Sequence, residues 1–208
     1  PALLHYVRHG GWELRNPHPL FDARHYVGQA RIDASKATTP LAHYLTVGWV
    51  AELPPHPLFD PGHYGSQQPG GGPSLENPLL HYLQNALTEF LDPHPLFCTR
   101  FYVDSNPDLG DLNPLVHFVR RGALEARAPH PLFDISFYWS QRPDVRAAGA
   151  NPLRHYLEVG LLDDVIVTVE TDFELNIANM GRHRYVHAYQ SRVPSTSDGV
   201  GISCHDMM

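Results

Sequence analysis

One phrase, repeated, constrains this chain more than any other feature. The segment Asn113–Phe133, NPLVHFVRRGALEARAPHPLF, returns as Pro1–Phe21, Pro40–Phe59 and Asn77–Phe97, and a fifth copy opens at Asn151 and stops after Gly160. The prolines heading the copies stand at 1, 40, 78, 114 and 152, a period of about 38 residues. A fixed period of this size marks a repeat array, whose units cannot bury an apolar face alone and must stack on one another. The expected fold is all-α: about four and a half tandem two-helix repeats over 1–162 (units 1–39, 40–76, 77–112, 113–150 and 151–162), then a short strand and irregular tail over 163–208.

Each unit carries its own start and stop signals. Asn77, Asn113 and Asn151, with Thr39 in the second copy, precede a Pro, the pairing of N-cap and first helical residue. Gly10, Gly48, Gly122 and Gly160 read as left-handed stops of that first helix, with Ala86 the departure in the third copy. Leu115, Phe118, Val119 and Gly122 define one buried stripe, which places His117 on the opposite side of the helix. A second helix begins after PHPLF, capped by Asp22, Asp60 and Asp134, with Cys98 in that place in unit 3. Phe21 with Tyr26, Phe59 with Tyr64, Phe97 with Tyr102 and Phe133 with Tyr138 form hydrophobic staples across these caps.

Composition excludes several roles. At 42% hydrophobic, the chain has enough apolar content for a packed core. A net charge of −7, with few and scattered Lys and Arg, offers no stripe that would track nucleic-acid phosphates. No apolar run is long enough for a membrane span, and no signal peptide is visible. Cys98 and Cys204 form no spaced motif and read as unpaired thiols of a reducing, cytoplasmic compartment. A start inside a repeat, without Met, reads as a fragment or processed product, whose missing N-terminus could have carried a targeting signal.

The consensus N-P-L-x-H-Y-L-x-x-G, followed by P-H-P-L-F-D, resembles a tandem module of bacterial glycosyltransferases and surface-polysaccharide biosynthesis proteins, over about residues 1–162. The resemblance implies an all-α accessory region without chemistry of its own, partnered by an adjoining catalytic domain or another protein, or holding a glycan. Val165–Val169 also looks like the first strand of a nucleotide-sugar transferase domain, but the Pro, Tyr and Asn of that opening are absent and no Asp-x-Asp occurs. The alternative reading is thus a fragment of a glycosyltransferase whose active site lies outside this chain.

No catalytic residue and no cofactor site emerges. Fifteen histidines raise a second alternative, a His-rich metal-binding protein. Nine are periodic: His5, His43, His81, His117 and His155 on first helices, and His18, His56, His94 and His130 between the corner prolines. Their spacing lacks a metal-ligand pattern, and a hydrogen bond to the corner or the adjoining unit accounts better for their repetition. The closer metal candidates are His183, His187, Cys204 and His205 in the tail. Glu13, Glu52, Glu89 and Glu125 recur after the first helix, where a surface ion pair is worth under about 1 kcal/mol. Trp12, Trp49, Tyr26, Tyr64, Tyr102 and Tyr138 could stack on sugar rings, but staple positions favour core packing.

Overall fold

Why the helices start where they do is settled by single side chains. In the computed structural model, which describes residues 5–31, 38–69 and 76–160, Asn113 and Asn151 each accept the amide two residues beyond the helical Pro. Asn77 accepts from both Leu79 and Leu80, and Thr39 from Ala42 at 3.4 Å. The second helices, Ala23–Ala30, Pro61–Ser66 and Ile135–Gln141, open on Asp22, Asp60 and Asp134, each accepting the amide three residues on at 3.0 Å. The architecture is all-α, as expected, with no sheet among the described residues. The expected strand and tail over 163–208 lie outside the described residues.

The first helices depart from the expected form. In units 2, 4 and 5 a single α turn (Pro40–His43, Pro114–His117, Pro152–His155) widens into a π turn (Tyr44–Gly48, Phe118–Gly122, Tyr156–Gly160). There the bonds run from residue i+5, as from Trp49 N–H to the Tyr44 carbonyl and from Ala123 N–H to the Phe118 carbonyl. Gly10, Gly48 and Gly122 are not left-handed stops. That conformation falls four residues later, on Leu14, Glu52 and Ala126, at φ 54°, 52° and 57°. The glycines answer a different need: a Cβ on Gly48 would run into the Tyr26 hydroxyl, and one on Gly122 into the Tyr102 hydroxyl. Unit 3, with Ala86 there, keeps one unbroken α-helix, Pro78–Glu89, ending on left-handed Phe90.

The core is a row of three-ring clusters. Each staple Phe and Tyr pair is joined by an aromatic ring from the next unit's first helix. Phe21, Tyr26 and Tyr44 meet at centroid distances of 5.4–5.6 Å, and Phe97, Tyr102 and Phe118 at 5.2–5.8 Å. Phe59, Tyr64 and Tyr82, and Phe133, Tyr138 and Tyr156, repeat the arrangement. All twelve of these rings are fully buried. Such pairs add about 0.5–1.5 kcal/mol each beyond area burial, so each cluster ties two units together. Leu115 and Phe118 are buried as their stripe predicts, and so is His117, 8% exposed. The single-stripe projection fails for His117 because Tyr102, on the second helix of unit 3, packs on Phe118 of the stripe and also meets His117 Nδ1 at 2.8 Å.

The array also turns back on itself. Arg154, in the fifth unit, holds the Asp22 cap of the first unit at 2.7 Å. Cys98 is disulfide-bonded, not the free thiol its context suggested; Cys204 lies outside the described residues. No described helix is long and apolar enough to cross a membrane.

Candidate functional site

Two sets of histidines recur, and each has a defined structural partner. In every corner the PHPLF segment makes a tight turn in which the His carbonyl accepts the Phe amide, as in Phe21 to His18 at 3.0 Å. The Nδ1 of the same His accepts the amide two residues on: Leu20 to His18, Leu58 to His56, Leu96 to His94 and Leu132 to His130, at 3.0–3.1 Å. An Nδ1 acceptor puts the imidazole proton on Nε2. The Pro before that His then accepts the cap amide of the preceding unit: Asp22 to Pro55, Asp60 to Pro93 and Cys98 to Pro129, at 2.8–2.9 Å. The corner is therefore both a turn and a unit-to-unit joint.

The first-helix histidines bridge units differently. Tyr26 meets His43, Tyr64 meets His81, Tyr102 meets His117 and Tyr138 meets His155, hydroxyl to Nδ1, at 2.7–2.8 Å. This is the adjoining-unit bond expected for these histidines, with a phenol as partner in place of a backbone carbonyl. Burial pushes the phenols of Tyr26, Tyr64 and Tyr102 up, Tyr26 to about 12 and the other two further, so they stay protonated and are not activated nucleophiles. Because all four tyrosines are fully buried, they cannot stack on a sugar. His5, the first-helix histidine of unit 1, is exposed and lies against His9.

A third junction pairs a first-helix Tyr with the next unit's cap. The Tyr44 hydroxyl donates to Asn77 Oδ1 at 3.0 Å, and Tyr82 takes the Leu115 amide at 3.3 Å. At the first junction Thr39 replaces Asn, and the buried Tyr6 hydroxyl has no hydrogen-bond partner among the described residues.

The carboxylates behave as surface and end contacts. Glu13 pairs with Arg15 at 2.6 Å, and Glu125 with Arg127 at 2.7 Å. Arg127 reaches on to Asp108 and Asn106 in the exit of unit 3. Glu89 approaches His81 Nε2 at 3.6 Å. Glu52 is out of register with these and occupies the left-handed position. Among the described residues no three His, Cys, Asp or Glu side chains come together as a metal site. His183, His187, Cys204 and His205 lie outside the described residues.

What the sequence reading missed is an exposed apolar position. Trp12, Val50 and Leu124 each stand two residues after the first-helix Gly and are 46%, 64% and 54% exposed. The signal was available: the same repeat position is apolar in three units without a place on the buried stripe. No family model matches this chain, and neither a curated protein nor a solved structure is similar to it.

Proposed function

We propose that this chain is a non-catalytic interaction module, an accessory to a bacterial polysaccharide glycosyltransferase that holds an adjoining catalytic domain or protein partner. The observation that carries the non-catalytic reading is the fate of the repeated polar side chains. The corner histidines, first-helix histidines 43, 81, 117 and 155, and the staple tyrosines all make hydrogen bonds within or between units. A catalytic centre needs singular, differently tuned groups, whereas these are serial copies of one solution. Support for an interaction role comes from Trp12, Val50 and Leu124, an apolar position repeated on the outside. The link to polysaccharide synthesis rests on the resemblance of the repeat alone.

The test uses the chain as a bait and as a would-be enzyme. Incubated with nucleotide sugars and Mn²⁺, it should release no nucleoside diphosphate. Immobilised, it should bind a transferase domain encoded beside it, saturably, and a triple variant W12D/V50D/L124D should lose that binding while keeping its helical spectrum. Turnover of any nucleotide sugar sinks the reading; so does partner binding that the triple variant leaves intact.

A further inference from the structure

We propose that the PHPLF corners are an acid-operated joint: protonation of His18, His56, His94 and His130 breaks the turn that couples consecutive units and loosens the array. The geometry leaves a corner histidine one role. Its Nδ1 accepts a backbone amide at 3.0–3.1 Å, and an imidazolium has two donors and no acceptor. A proton on Nδ1 would therefore face the Leu amide donor to donor and leave that amide without a partner. The loss does not stay local. The same turn presents the Pro carbonyl that takes the preceding unit's cap amide, so three junctions, Asp22 to Pro55, Asp60 to Pro93 and Cys98 to Pro129, depend on it.

The surroundings resist the added charge. His56 is buried and faces Arg154 from the fifth unit, with His25 and His18 nearby; the one carboxylate, Asp22, is already bonded to Arg154. His18 faces Arg120, and His130 faces His63, whose Nε2 is buried without a hydrogen-bond partner among the described residues. Burial first, and these cations second, hold His56 down to about 3; burial and then His63 hold His130 to about 4; His18 and His63 are also lowered. In an unfolded chain the same histidines titrate near about 6.5. Since the folded values lie below the unfolded ones, the stability is complete above that pH and is lost as pH falls from 6.5 toward 4. Asp22 does not share this window. Burial works to raise it, but the His25 amide and Arg154 hold its carboxyl below the usual range, so it responds only in stronger acid.

Asparagine separates the two properties of the corner histidine. Its Oδ1 can accept the amide two residues on, as in an Asx turn, but it does not titrate. The experiment compares the full chain with the variant H18N/H56N/H94N/H130N by urea unfolding, followed by circular dichroism, and by hydrodynamic radius between pH 7.5 and 4.5. The native chain should lose urea resistance steeply on acidification and expand, while the variant, which keeps His63 and His117, loses it less steeply. A variant that loses resistance as steeply as the native chain overturns the proposal, as does a native chain that is level throughout. Should the fourfold variant not fold, ¹⁵N spectra of the native imidazoles decide. Corner rings that keep the proton on Nε2 alone for as long as the array stays compact, and take up a second proton only as it expands, support it, and corner rings of the compact array that titrate near about 6.5 overturn it.

Discussion

Units 3 and 4 follow the same backbone plan through different residues, and the difference shows which parts of the plan are obligatory. Unit 4 caps its second helix with Asp134, whereas in unit 3 Cys98 occupies that place and its side chain makes no cap bond. There the first helical amide, of Thr99, is taken by Asp92 at 2.7 Å, and Asp92 is itself held through its backbone by Gln67 of unit 2. Unit 1 uses both devices, with Asn16 on Ala23 and Asp22 on His25. In unit 2 the first helical residue is Pro61, which has no amide, and Pro54 stands where Asn16 and Asp92 stand elsewhere. The first helices differ in the same way: a wide turn with Gly122 in unit 4, a regular helix with Ala86 in unit 3. What the array keeps is the satisfied amide and the buried phenol, not the residue that provides for them.

The sharpest way to break this comparison is to exchange the residues at the equivalent first-helix positions 122 and 86. Gly122→Ala should cost about 1–3 kcal/mol by forcing a methyl against Tyr102, and the Tyr102→Phe background should recover part of it. The reverse change in unit 3, Ala86→Gly, should cost no more than about 1 kcal/mol, the helix-propensity difference. Urea unfolding of the three variants measures both, and equal losses at the two sites would refute the close-approach account. Next in size is the substitute cap. Asp92→Ala strands a buried amide and should cost about 1–2 kcal/mol, against a smaller loss for Asn16→Ala, whose unit retains Asp22. Thr39→Asn should raise the melting temperature, by about 1 kcal/mol of stability, because Asn at that junction would supply the acceptor the Tyr6 hydroxyl lacks. The smallest effect belongs to Glu13→Ala, under about 0.5 kcal/mol, which salt titration of the melting temperature should show to be screened.

Caps and staples were legible because they are local: a side chain and an amide three residues on, or two rings five residues apart, are fixed once the helix starts. The Tyr–His junctions were not, since Tyr26 and His43 are 17 residues apart and meet only after the units pack. The stop glycines were read for their backbone freedom, yet Gly48 is Gly because a hydroxyl from the preceding unit leaves space for a hydrogen only. Least legible was the contact of Arg154 with Asp22, 132 positions apart, which no single motif encodes.

That distant ion pair has a kinetic consequence. The other described hydrogen bonds between units join neighbours, so structure can spread along the chain with short loops to close, the condition for fast folding. Asp22 and Arg154 can meet only when all the intervening units are in place, and a contact made after the folding barrier shows itself in the unfolding rate alone. Removing it should leave the rate of folding unchanged and quicken unfolding, so that the lifetime of the native array is governed by a bond between its two ends.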